Sequence, residues 1–169
     1  MDLLIHAYLR IKSDNISLTI YGSPDQEAYM NELLRLASSV NHIKFCGTFP
    51  REELPARLSE FDVLVIPSRW YENSPLVLLY ALATRTPVIV TDVKGMSEFV
   101  KDGFNGYTFK KNSVEHLTTI MQKIVDDPSS IERLSQNAVY TKDVSDHAAD
   151  ALELYKAALG RPGNVRQGP

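Results

Sequence analysis

DVLVIPSRWYENSPLVLLYALATRTPVIVT, residues 62–91, reads as strand, helix, strand. Residues 62–66 (DVLVI) and 87–90 (PVIV) are short, β-branched-rich runs, almost uninterrupted by polar residues. Strands buried on both faces look like this, and such strands belong to parallel sheets covered by helices. Between them Asn73-Ser74-Pro75 reads as a helix start, with Ser74 or Asn73 as N-cap and Pro75 in the first helical position. A helix is therefore expected over residues 75–84.

The pattern continues outward in both directions. Residues 16–21 (ISLTIY) and 42–46 (HIKFC) are two further apolar runs, and residues 106–109 make a fifth short strand. Residues 25–40 place Tyr29, Leu33, Leu36, Ala37 and Val40 at helical spacing, and residues 51–61 do so with Leu54, Leu58 and Phe61. From Ser113 the spacing is helical to about Leu159, punctuated by Asp127-Pro128. The last ten residues, GRPGNVRQGP, hold three glycines and two prolines and are expected to be a disordered tail. No internal repeat is present. Strand alternating with helix is the pattern of a parallel α/β sheet, so residues 1–159 read as one α/β domain.

Composition narrows the classes. A chain of 169 residues with 44% apolar and 23% charged residues can build one hydrophobic core. Eighteen basic against 21 acidic residues leave a net charge of −3, which argues against a nucleic-acid binder. The single Cys46 excludes an internal disulfide and reads as a small buried residue of an apolar strand. His6, His42, His116 and His147 have no ligand-like spacing, so no metal is expected. No apolar run approaches a membrane span and no signal peptide opens the chain, which makes the cytoplasm the default compartment.

In open parallel sheets ligands bind at the carboxyl ends of the strands. The four longer runs end in Gly22-Ser23-Pro24, Gly47-Thr48, Pro67-Ser68 and Thr91-Asp92, small or polar residues that leave backbone groups accessible, although any turn needs such residues. A helix starting at Pro75 leaves the N–H groups of Leu76 and Val77 pointing into that crevice. With about half a positive charge at the helix start, they suit a phosphate or diphosphate. Glu72 stands just before it. A carboxylate there accepts hydrogen bonds from two vicinal sugar hydroxyls, or simply benefits from the helix dipole by ~0.3–1 kcal/mol.

Residues 62–91, followed by Asp92-Val93-Lys94-Gly95-Met96-Ser97-Glu98 and Asp102-Gly103-Phe104-Asn105-Gly106, resemble the donor-binding domain of glycosyltransferase family four (group 1 glycosyltransferases). Ile20-Tyr21-Gly22 and Phe45-Cys46-Gly47 stand in the matching places, and the resemblance covers residues 2–159. It implies the C-terminal, Rossmann-like half of the two-domain B-type fold, in a retaining enzyme that uses no metal or other cofactor. Carried over, Glu72 is the catalytic-site glutamate that holds hydroxyls of the transferred hexose. The amides of Asn73, Ser74, Leu76 and Val77, around Pro75, receive the diphosphate and sugar of a nucleotide-sugar donor. Gly22 and the Gly47-Thr48-Phe49 turn flank base and ribose, and Ser68 lines the crevice floor. The acceptor, a glycan or lipid-linked glycan, is held by an N-terminal domain that these residues do not include. That half would also bring the enzyme to the inner membrane face as a peripheral protein.

Three departures stand out. The family's second glutamate, eight positions after the first, is Tyr80 here, a residue that meets the ribose or packs beside Leu76 in the helix core. Lys94 replaces a common glycine and either meets the diphosphate or is solvated. The family's first strand, with the cations that follow it, has no counterpart, since residues 1–5 match the helix after it. Either residues 16–21 pair directly with residues 62–66, or a strand from elsewhere completes the sheet. The rival readings are a degenerate, non-catalytic module of the same fold and a nucleotide-sugar epimerase or phosphorylase.

Overall fold

Val88, Ile89, Val90 and Thr91 are each no more than 2% exposed in the computed structural model of the chain. It describes residues 1–13, 15–23 and 26–159. The tail expected to be disordered lies outside these. Such complete burial follows from position: β4 (Val88–Thr91) lies between β3 (Leu64–Ile66) and β5 (Gly106–Phe109) in a three-stranded parallel sheet. Its side chains alternate between two cores. Val88 and Val90 meet Leu58, Leu78, Ala81 and Leu82 on one face. Ile89 meets Leu3, Leu4 and Ala7, with Leu117, Ile120 and Ile124, on the other.

The helices that supply these layers are α1 (Asp2–Tyr8), α2 (Glu27–Ala37), α3 (Leu54–Ser59), α4 (Leu76–Ala83), α5 (Val114–Asp126), α6 (Ser129–Asn137) and α7 (Val144–Leu159). Short 3-10 turns cover Arg51–Glu53 and Ser97–Phe99. A second sheet pairs β1 (Leu18–Ile20) with β2 (Ile43–Phe45), also in parallel. The fold is thus the expected α/β arrangement of parallel strands flanked by helices.

Each sheet has an open edge among the described residues. Among the described residues β1 bonds only to β2 and β3 only to β4, so residues 16–21 and 62–66 do not pair directly. The Leu18 N–H donates to His42 O and the Leu64 N–H to Pro87 O. Backbone groups alternate in direction along a strand, so those of Thr19 and Val65 face the interval between the sheets. α1 spans that interval on one side: its Leu3 and Leu4 join the core over β4, while Ile5 packs with Ile20 and Leu33 beside β1. β3 is only half-buried along its length, unlike β4, because one edge has no neighbouring strand among the described residues. In hydrogen exchange of this chain, the Thr19 and Val65 amides are expected to exchange about a hundredfold faster than that of Ile89, or more. Equal protection would mean that something covers those edges.

Other sequence readings need correction. Cys46 is exposed, not buried, because β2 is an outer strand and Cys46 lies just past its end. The long C-terminal helix breaks not only at Asp127-Pro128 but also over residues 138–143. A reciprocal cap restarts it: Ser145 and Asp146 N–H donate to Asp143 Oδ1, while Asp143 N–H donates to Asp146 Oδ2. None of the α7 residues is buried, and Val144, Leu154 and Leu159 are among its exposed apolar side chains.

Candidate functional site

The turn between β3 and α4 differs from expectation in one respect. Pro75 is itself the N-cap residue, at φ −59° and ψ 127°, and the helix begins at Leu76. Ser74 adopts φ 51°, a left-handed backbone, and makes no capping bond. A serine caps a helix from an extended conformation, which this turn does not permit. The consequence favours a ligand. The Leu78 N–H donates to Pro75 O at 2.9 Å, whereas the Leu76 and Val77 amides have no partner among the described residues.

Glu72 is held from two sides. The Ser68 hydroxyl donates to Glu72 Oε1 at 2.6 Å, and it also accepts from the Trp70 N–H at 3.2 Å. The carboxylate is therefore kept at the carboxyl end of β3, on the same turn as the two amides. From below, the Glu72 N–H donates to Lys94 O at 3.3 Å. Gly95 sits directly against the Glu72 carbonyl, at φ 86°. Lys94 itself is exposed. Asn73 is exposed and Ser74 half-buried, and a cleft of about 430 Å³ lined by Ser74, Leu79, Phe99, Tyr140 and His147 opens beside them.

Three neighbours escaped the sequence reading. Trp70 and Tyr71, 78% and 75% exposed, flank Glu72. A tryptophan so open is unusual, and its only sequence signal is its place between a strand end and Glu72. Arg69 Nη2 donates to Asp2 Oδ2 at 2.6 Å, fastening the loop to the start of α1. Burial pushes the Asp2 carboxyl up, but the Arg69 bond and nearby positive charge outweigh it and hold its pKa below the usual value.

The expected base and ribose end forms a second group. The Gly22 N–H donates to Gly47 O at 2.8 Å, joining the turns after β1 and β2. Gly47 is left-handed at φ 67° and faces open space, while Thr48 is exposed. Phe49 packs edge-on against Tyr21, with ring centroids 4.8 Å apart. Gly22 and Gly47 belong to one sheet, and Ser68, Glu72 and residues 73–77 follow the other. No hydrogen bond among the described residues joins these two groups. Tyr80 follows the packing alternative: its ring lies against the core of α3 and α4, although Leu76 itself is exposed, and its hydroxyl accepts from Arg51 Nη2 at 3.3 Å.

Known proteins share the family pattern and the fold of this chain. The model of the family "Glycosyl transferases group 1" matches residues 1–140. An uncharacterised glycosyltransferase of Methanocaldococcus jannaschii is 30% identical over 168 residues, 96% of this chain and 43% of that protein. Glycogen synthase of Mycobacterium tuberculosis is 30% identical over 130 residues, 77% of this chain and 31% of the enzyme. Among solved structures, Anabaena HepE in complex with UDP-glucose superposes with a TM-score of 0.81 at 20% identity, over 92% of this chain and 45% of that one. The C-terminal domain of a group 1 glycosyl transferase (LpcC) from Francisella tularensis gives 0.71 at 23% identity, over 80% of this chain and 73% of that one. The chain spans less than half the length of the two curated relatives and of HepE.

Proposed function

Because the chain belongs to the group 1 glycosyl transferases, we propose that it is the donor-binding half of a retaining glycosyltransferase that needs no metal. It binds a nucleoside-diphosphate hexose, and the sugar passes to a saccharide or lipid-linked acceptor. The observation that carries this reading is the α4 start, where two amides without partners among the described residues lie on the same turn as a carboxylate fixed by Ser68.

The residues divide the work by chemistry. The Leu76 and Val77 amides, with the helix dipole behind them, receive the diphosphate and stabilise the charge that grows on it as the bond to the anomeric carbon breaks. Asn73 and Ser74 contribute their amides at the sugar side of that turn, and Pro75 sets its direction. Glu72 accepts hydrogen bonds from hexose hydroxyls, and Ser68 keeps it in position. Gly22, Gly47 and Thr48 leave room for base and ribose. The acceptor hydroxyl attacks from the face that the leaving phosphate vacates, its proton passing to a phosphate oxygen, so configuration is retained. The acceptor comes from the other half of the enzyme, as does any contact with a membrane. No helix among the described residues is long and apolar enough to cross one.

Calorimetric titration with UDP-, GDP- and ADP-glucose tests the proposal. UDP-glucose comes first, since HepE is solved with it. We expect millimolar or tighter binding of at least one donor, weakened about tenfold or more by Glu72→Ala, the loss of hydrogen bonds to a charged group. No binding by a well-folded sample would favour the degenerate module, the reading that the replacement of the second glutamate by Tyr80 supports.

A further inference from the structure

Arg51 opens the 3-10 turn that follows the Gly47–Pro50 loop, and its guanidinium is exposed. It makes no ion pair among the described residues, whereas Arg57 is paired with Glu53 and Arg69 with Asp2. Its one side-chain partner among the described residues is the Tyr80 hydroxyl, at 3.3 Å. The Tyr80 ring is packed against the α3–α4 core, so the hydroxyl is a fixed point. The bond leaves the other guanidinium N–H groups directed at solvent. Tyr80 lies four residues after Leu76, about one helical turn, or ~5.4 Å along the axis, from the unpartnered amides. Phe49, two residues before Arg51, packs edge-on against Tyr21.

We propose that Arg51 is a donor-binding residue for the nucleoside side of the ligand, giving hydrogen bonds to the ribose hydroxyl oxygens while Tyr80 positions it. Arg51 follows the Gly47 turn assigned to base and ribose and is tied to Tyr80, one helical turn beyond the diphosphate amides, whereas Glu72, assigned to the transferred sugar, precedes them. The part of the donor that reaches Arg51 is therefore the ribose. A guanidinium held by a phenol offers that ribose donors, and the hydroxyls serve as acceptors. The proposal rests on the donor-site reading above and adds to it a residue on the other sheet's loop.

Titration with UDP, GDP and ADP, and with inorganic pyrophosphate, tests it on the full chain. For the nucleotide that binds best, Arg51→Ala is expected to weaken affinity about tenfold and Tyr80→Phe about threefold. The Tyr80→Phe effect should vanish in the Arg51→Ala background, because its role runs through Arg51. Pyrophosphate affinity should stay unchanged in both variants. If Arg51→Ala binds the nucleotide as the parent chain does while Glu72→Ala still weakens the nucleotide sugar, the Arg51 assignment falls and the donor site stands. An equal loss for pyrophosphate would also overturn it, by placing the contact on the diphosphate. No nucleotide binding by the parent chain would remove both.

Discussion

Replacing Gly95 with alanine will lower affinity for the nucleotide sugar about a hundredfold while leaving most of the fold in place. Gly95 holds φ 86°, and a Cβ there would overlap the carbonyl oxygen of Glu72. Backbone cannot yield as a long side chain can, so the residue 67–75 turn must move outward. That turn carries Glu72, its Ser68 bond and the approach to Leu76 and Val77. A shift of ~1 Å in a binding constellation is enough for a loss of about two orders of magnitude. The left-handed φ adds a local cost of about 1–2 kcal/mol. Titration of Gly95→Ala against the parent chain, with unfolding followed in parallel, measures both effects. An alanine variant that binds donor normally would show that the turn does not depend on this contact.

Gly106→Ala should produce the largest loss of stability, for a reason unrelated to ligand. Gly106 pairs with Val88 across β4 and β5, and an added Cβ would overlap the Val88 carbonyl oxygen and crowd its side chain. The strand must separate from the most deeply buried strand in the molecule. Overpacking against backbone costs about 3 kcal/mol, which lowers the melting temperature by roughly 10 °C in a domain of this size. Gly103→Ala is the internal comparison. Gly103 is left-handed at φ 72°, but its nearest neighbour is the Tyr107 hydroxyl at 3.9 Å. It should cost only the conformational term, about 1–2 kcal/mol. If both variants melt together, the clash at Val88 is not what distinguishes the two sites.

The elements that could be read from residues alone were those whose cause is local. The runs 62–66 and 87–90 are strands because they are β-branched and apolar, and the observed β3 and β4 fall inside or at most one residue beyond them. The helix over residues 75–84 was legible from Pro75, yet its cap was not. Whether Ser74 caps or turns left-handed depends on Gly95, twenty-one residues on, pressing against Glu72. The Asp143–Asp146 cap was present in the letters, but continuous helical spacing around it concealed the break.

For the candidate site the division is similar. Glu72, the helix start and the glycines after β1 and β2 stand out because turn chemistry and a known motif mark them. Arg51, Trp70 and Tyr71 do not, since an exposed cation or aromatic has no sequence pattern of its own. Pairing of Gly22 with Gly47, and of Arg51 with Tyr80, joins residues 25 and 29 positions apart.

By itself, then, the sequence determined the α/β class, the order of strands and helices, the family and the turn that carries the carboxylate. These follow from short-range periodicity and steric preference, which act over a few residues. Tertiary structure alone decided that β1 and β3 do not pair with each other among the described residues, that Cys46 is open, and that Ser68 holds Glu72. Such outcomes depend on which backbone lies next to which, and packing between distant segments settles that only once the chain has folded.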